Sequence, residues 1–388
     1  MLFRSIATYK AEFFSHYYEG RLRPRSAYAF GLIMHWARAA EKAPGLVNFI
    51  TQTPGLRDVA RWAAGMTPER SIPRFARQTF KAWWRKRSAP SPRTGATRVI
   101  LWPDTFNNHF FPQTLAAGAE VLEDAGFDVV VPEPFLCCGR PLYDFGMLEH
   151  AKHRLRHVIA TLRPEIEAGT PLVGLEPSCV SVFRDELTNL FPDDPDAVRL
   201  ARQTHTLAEF LLQHANGYSP PRLERRAVVH GHCHHKAVLG LSPDEEILHS
   251  IGLDFRTLDS GCCGMAGSFG FEKGEKYDVS MAAGERVLFP AVRTADDDTI
   301  VITDGFSCRE QIAHGTDRRA LHLAEVLQLA LRQREVRPGL RPELQHESLA
   351  PRELTAPTSA RSAALAAGLL AGASLAGYMV LRSRAKMR

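Results

Sequence analysis

Hydrophobic and polar positions change period along this chain, and the changes mark out its elements. From residue 1 to 84, apolar residues recur at helical spacing, as in Tyr28, Leu32, His35 and Trp36. Pro24, Pro44, Pro54, Pro68 and Pro73 cut this helical region into short pieces. Nothing in it has metal-ligand spacing. His16 with Tyr17 and Tyr18, or the pair Trp83 and Trp84, can contact a quinone or a partner; packing between helices is the simpler reading. Residues 85–98 are basic and rich in proline and serine, which predicts a linker.

From 99 to 333 the pattern alternates between strand and helix. Val99–Leu101 reads as a strand, Leu115, Ala119 and Leu122 as one face of a helix, and Phe127–Val131 as the next strand. Leu148, Ala151, Leu155, Val158 and Leu162 keep helical spacing before Pro171–Leu175 returns as a strand. The same order recurs from Ala227, with Phe255–Leu258 and Thr299–Ile302 as the matching strands. The expected fold is α/β: two repeated parallel units, 99–215 and 216–333, behind a small helical region. In such units the loops leaving the C-terminal ends of the strands carry the chemistry.

Residues 334–361 are polar and charged, with little apolar periodicity, and read as a flexible tether. Beyond them Ser362–Leu381 contains no charge and precedes Arg382, Arg384, Lys386 and Arg388. About twenty uncharged residues suffice to cross a bilayer, so a C-terminal hydrophobic helix at 362–381 is expected as a membrane anchor, the alternative being an alanine-rich disordered tail. Lys10 and Glu12 interrupt the apolar N-terminus, so no secretory signal is read there. Seven cysteines without such a signal point to a reducing compartment. The expected location is therefore cytoplasmic, held to the inner face of the cell membrane by the C-terminal helix. A net charge of +5 over 388 residues, without interleaved aromatic and basic residues, gives no argument for nucleic acid.

Six of the cysteines lie in paired motifs. Asp259-Ser260-Gly261-Cys262-Cys263-Gly264 sets two adjacent thiols between glycines, His230-Gly231-His232-Cys233-His234-His235 lies upstream, and Asp304-Gly305-Phe306-Ser307-Cys308 lies downstream. Adjacent cysteines rarely bridge each other. Cys233, Cys262, Cys263 and Cys308 sit on three loops, as four thiolates converging on one centre require. The first unit repeats the device: Cys137-Cys138-Gly139 aligns with Cys262-Cys263-Gly264, and Glu176-Pro177-Ser178-Cys179 with Gly305-Phe306-Ser307-Cys308. There Asp104 stands at the Cys233 position and Glu176 at the Gly305 position. An internal duplication of this length predicts two similar units that pack together.

An all-thiolate shell selects zinc or an iron–sulfur cluster over magnesium or calcium. The adjacent pair combined with two remote thiols favours a multi-iron centre over a zinc ribbon. Buried structural thiols, or a nucleophilic Cys262 or Cys263 in a thiol–disulfide reductase, are the competing readings. Asp104 and Glu176 can act as hard ligands, as hydrogen-bond partners or as remnants of a lost site. Of the histidines flanking Cys233, one can serve as a ligand or proton relay; His232, His234 and His235 are expected chiefly to support the ligands.

These motifs resemble the cysteine-rich CCG domain family, which occurs twice in the B subunit of heterodisulfide reductase and in the iron–sulfur subunits of glycolate oxidase and anaerobic glycerol-3-phosphate dehydrogenase. The family pattern is a cysteine, then Cys-Cys-Gly, then Cys-x-x-Cys; Gly305 stands where the first cysteine of the last pair would fall. Ala7–Phe13, His232–Lys236 and Asp304–Glu310 are most similar to the C-terminal part of FAD-linked D-lactate or glycolate dehydrogenases. The resemblance implies an iron–sulfur cluster, of the four-iron four-sulfur (4Fe-4S) type, on Cys233, Cys262, Cys263 and Cys308. Cys137, Cys138 and Cys179 are lesser candidates. It also implies an electron-transfer component with its FAD on a partner dehydrogenase chain or domain. A ferredoxin-like iron–sulfur domain and a quinone or cytochrome acceptor complete the expected partners.

Overall fold

Among the described residues, seven short strands form two parallel sheets. The computed structural model describes residues 6–87, 95–335 and 339–355. In the first sheet β1 (Arg98–Trp102), β2 (Asp128–Val130), β3 (Leu172–Gly174) and β4 (Thr204–His205) lie in the order β2-β1-β3-β4. In the second, β5 (Arg226–Val229), β6 (Asp254–Thr257) and β7 (Ile300–Ile302) lie in the order β6-β5-β7. The central strand of each pairs with the next two in the same sense: Val99 with Val129 and Leu101 with Val173, then Val228 with Arg256 and Val229 with Ile302. β4, only two residues long, is matched in the second sheet by a single parallel bridge from Leu321 to Ile302, and it has no signal in the sequence pattern.

Each repeat closes against the other. Helix Leu323–Leu331 packs on Pro112–Asp124, and helix Leu207–His214 packs on Ser242–Ser250. One apolar core therefore runs through both repeats, from Val99, Leu101 and Leu115 to Val229, Ile300 and Leu327. A polar seam crosses it. Thr114 Oγ1 donates to Glu325 (2.7 Å), and Arg309 donates to Thr114 (2.9 Å) and Asn107 (2.6 Å), all buried. Each closing helix starts with a capping box, Thr206 with Glu209 and His322 with Glu325.

Upstream, the helices Ile6–Tyr17, Arg25–Gly31, Ile33–Ala40, Pro44–Gln52 and Leu56–Ala64 form the expected helical region, with Pro24 as an N-cap and Pro44 in the first turn of its helix. Trp83 and Trp84 pack against the shared core, whereas His16 and Tyr17 are exposed.

The tail requires a correction. Among the described residues no helix is long and apolar enough to cross a membrane, and the stretch 362–381 lies outside them. Among the described residues the fold is α/β with two small parallel sheets, and none of their helices is the expected membrane helix. The inner-face membrane anchoring that depended on that helix is withdrawn with it.

Candidate metal centre

The thiols are carried by the C-terminal ends of the strands. Cys233 follows β5, Cys262 and Cys263 follow β6, and Cys308 lies in the first turn of helix Phe306–Gly315 after β7. Parallel strands in one sheet end on the same side, so the three loops meet. Cys262 interacts with both Cys233 and Cys263, and Cys263 interacts with Cys308. All seven cysteines are free thiols.

The backbone between the sulfurs explains the Cys-Cys-Gly sequence. Gly264 adopts φ +97°, and a Cβ there would collide with the Ser280 carbonyl. The turn aims the Gly264 amide at Cys262 Sγ, 3.3 Å away. Gly139 repeats the conformation at φ +79°, and its amide donates to Cys137 Sγ at 3.5 Å. Gly305 is small for another reason: a Cβ there would enter the His232 ring. The imidazole thus fills the space where the family pattern has a further cysteine.

The two thiol groups differ electrostatically. Hydrogen bonds from Cys233, Cys263 and the Gly264 amide hold the Cys262 thiol far below its ordinary range, against the opposing effect of burial. Cys263, opposed by burial and helped by His230, does the same for Cys308. Cys233 and Cys263 are correspondingly pushed up. In the metal-free chain these hydrogen bonds therefore favour the charged form at Cys262 and Cys308 and the protonated form at Cys233 and Cys263. Metal binding would displace those protons.

In the first repeat Cys138 and Cys179 lie 3.1 Å apart, sulfur to sulfur, beside Cys137. Cys138 holds Cys179 down, but burial together with Asp104 and Glu176 outweighs it, and Cys179 is pushed up to about 11. Cys137 is raised by Cys138 and burial; Cys138, held down by Cys137, is raised by Cys179 and burial. These thiols stay protonated.

Both carboxylates of this repeat cap helices. Asp104 accepts from the Phe106 and Asn107 amides (3.0 and 2.9 Å) and from Asn107 Nδ2 (2.8 Å), and burial with Glu176 nearby raises its pKa to about 6. Glu176 accepts from Ser178 N at 3.2 Å and, across the seam, from Phe306 N at 2.9 Å.

The histidines separate into distinct roles. His230 is buried, its Nδ1 lies 2.6 Å from Ser260 Oγ, and its Nε2 has no hydrogen-bond partner. One ring nitrogen of His230 and the sulfurs of Cys263 and Cys308 lie within 4.8 Å of one another, as do the donor atoms of His232, Cys233 and His234. The rings of His232 and His234 stack at 5.3 Å. Arg140 Nη2 donates to His234 Nε2 at 2.8 Å. Arginine is only a donor, so the neutral ring carries its proton on Nδ1, which faces Cys233 Sγ at 3.9 Å. Burial and Arg140 press the His234 pKa down to about 3, which keeps the ring neutral. His235 Nε2 lies instead 3.0 Å from Asp244 Oδ2.

Arg140, held by Asp144 and Glu186, is the residue that spacing alone left out; His230 is one of the flanking histidines among which a ligand or proton relay was expected. Arg140 directly follows Cys137-Cys138-Gly139, but its target lies in the other repeat, which no local pattern reveals.

Both thiol groups open onto one cavity of about 970 Å³ that Tyr28, Phe30, Trp36 and Phe75 of the helical region also line. Soft sulfur donors, a backbone amide aimed at one of them and an orphaned buried imidazole nitrogen fit a thiolate-bound metal centre.

The comparisons agree with this chemistry. A family model described as a cysteine-rich domain, CCG, matches residues 105–184, in the repeat with three cysteines. Lactate utilization protein A of Bacillus velezensis is 31% identical over 247 residues, 98% of its length and 59% of this chain. The chain belongs to the lactate utilization protein A family. It is also 28% identical over 290 residues to the C subunit of anaerobic glycerol-3-phosphate dehydrogenase of Escherichia coli K12, covering 74% of this chain and 72% of that relative. D-2-hydroxyglutarate dehydrogenase of Pseudomonas putida KT2440 is 26% identical over 333 residues, 83% of this chain but 32% of the dehydrogenase. The resemblance to CCG proteins and to glycerol-3-phosphate dehydrogenase subunits therefore holds, and the lactate utilization family is the one shown.

Proposed function

We propose that the chain is an electron-transfer component of a 2-hydroxyacid dehydrogenase system, with an iron–sulfur cluster, of the 4Fe-4S type, held by Cys233, Cys262, Cys263 and Cys308. The observation that carries this reading is the contact series Cys233, Cys262, Cys263, Cys308, drawn from three loops at the wall of a large apolar cavity. When bound, such a cluster supplies reversible one-electron storage, and the protein sets its position and potential. The Gly264 amide and His234 Nδ1–H donate toward two of the sulfurs and stabilise their negative charge. Arg140 fixes the His234 tautomer.

The relatives' names support a dehydrogenase partner. The P. putida enzyme matches this chain over only about a third of its own length. We assign the FAD to such a partner, together with a ferredoxin-like iron–sulfur domain, and a quinone or cytochrome as the acceptor. The second thiol group, Cys137, Cys138 and Cys179, is a lesser candidate for metal.

Anaerobic reconstitution with iron and sulfide tests the reading. The expected product has broad visible absorption that bleaches when a reduced flavoprotein dehydrogenase is added. Stoichiometric zinc without that absorption would favour a structural metal; turnover of a disulfide substrate by the metal-free chain would favour thiol–disulfide chemistry.

A further inference from the structure

Behind the thiols lies a cluster that electron transfer does not use. His235 opens the π-helical turn His235–Leu239, two residues after Cys233; Asp244 sits in the first turn of helix Ser242–Ser250; and Asp304 follows β7 just before the Cys308 helix. One donor atom from each lies within 4.8 Å of the others. We infer that His235, Asp244 and Asp304 form a sulfur-free site for a divalent transition ion such as zinc or ferrous iron, which braces the loops carrying Cys233 and Cys308.

Acidic residues near a histidine are common without an ion, so the inference rests on two further observations. First, His235 and Asp244 are 2% and 6% exposed, yet His235 Nε2 and Asp244 Oδ2 make no hydrogen bond. Their separation of 3.0 Å is short enough for one, so the direction is at fault. An ion on the axis of the ring nitrogen explains both facts. Ligands about 2.1 Å from a shared ion, at ordinary coordination angles, stand roughly 3.0–3.4 Å apart, and the oxygen then lies well off the nitrogen's axis.

Second, the neighbouring groups do not neutralise the carboxylates. His322 Nε2 is 3.6 Å from Asp304, but His322 Nδ1 accepts from Ala324 N (2.9 Å), so its proton is on Nε2 and is donated to Leu175 O (2.8 Å). Glu209, which also faces His235, is held by Arg184 at 2.8 Å. Two carboxylates therefore face one imidazole, a donor set that a divalent cation can bridge. Asp304 Oδ1 accepts from Leu323 N at 2.8 Å, which leaves the carboxylate further acceptor capacity. One imidazole and two carboxylates suit zinc, ferrous iron or manganese, with water completing the shell.

The site does not depend on the iron–sulfur reading, and Co2+ is the probe that separates the two. The metal-stripped full chain is titrated anaerobically with Co2+ and followed by optical spectroscopy. The expected result is one class of cobalt whose ligand-field bands grow without thiolate charge transfer, preserved in Cys262→Ser. Asp244→Asn and His235→Gln should each weaken that class at least about tenfold. Wild-type cobalt bands that always carry thiolate charge transfer would overturn the site without recourse to any variant. So would equal cobalt affinity in the wild type and in whichever of the two variants folds.

Discussion

Gly264 sits where the backbone, the sulfurs and the core meet. Its φ of +97° and the Ser280 carbonyl beside it leave no space for a methyl group. Gly264→Ala should lower stability by roughly 2–4 kcal/mol, read as a shift in the denaturant midpoint of the metal-free chain. Glycine next to adjacent cysteines was legible as a tight turn presenting its amide to sulfur, and the Gly264 amide does so. Arg140 was not legible, because it acts on a histidine in the other repeat. Arg140→Gln should release the His234 tautomer and remove a hydrogen bond toward Cys233. Fewer donors to sulfur make reduction harder, so the potential of the reconstituted centre should fall, as measured by a redox titration.

At the scale of elements, short caps and edge strands decide what the periodic pattern leaves open. The strand–helix alternation of 99–333 was legible because apolar runs are bounded by turn residues. β4 was not, since two residues carry no period. His205 on β4 shows what that edge contributes. Burial, with His214 close by, lowers its pKa to about 4 from an ordinary 6.5, so the folded chain favours the neutral ring. The unfolded chain takes up the proton first as pH falls. The contribution of His205 is thus complete above about pH 6.5 and is lost as pH falls toward 4. Thermal midpoints should fall across that window, and His205→Gln should flatten the fall. Glu176 caps its own helix and the Phe306 helix of the other repeat. Glu176→Ala removes both caps and should cost about 2 kcal/mol or more, visible in the same unfolding assay.

The whole molecule is a duplication held by one core and a buried polar seam. The duplication was legible from the paired motifs, but the exchange of closing helices was not, because either packing buries the same apolar faces. Arg309 joins the repeats through Thr114 and Asn107 and lies 3.9 Å from the buried Glu325. Arg309→Met removes the cation beside that carboxylate together with the bonds to Thr114 and Asn107, and should cost about 3–5 kcal/mol. The shared core predicts that the two repeats unfold in one transition, with coincident fluorescence and circular dichroism curves. The account as a whole rests on thiols from three loops of the second repeat acting together on one inorganic centre. Electron paramagnetic resonance of the anaerobically purified full chain addresses this most directly. The account predicts an iron–sulfur signal in one redox state, retained in Cys137→Ser and lost in Cys262→Ser with at least about a tenfold fall in bound iron. A chain without such a signal in either state, or with one that survives Cys262→Ser unchanged, would contradict it.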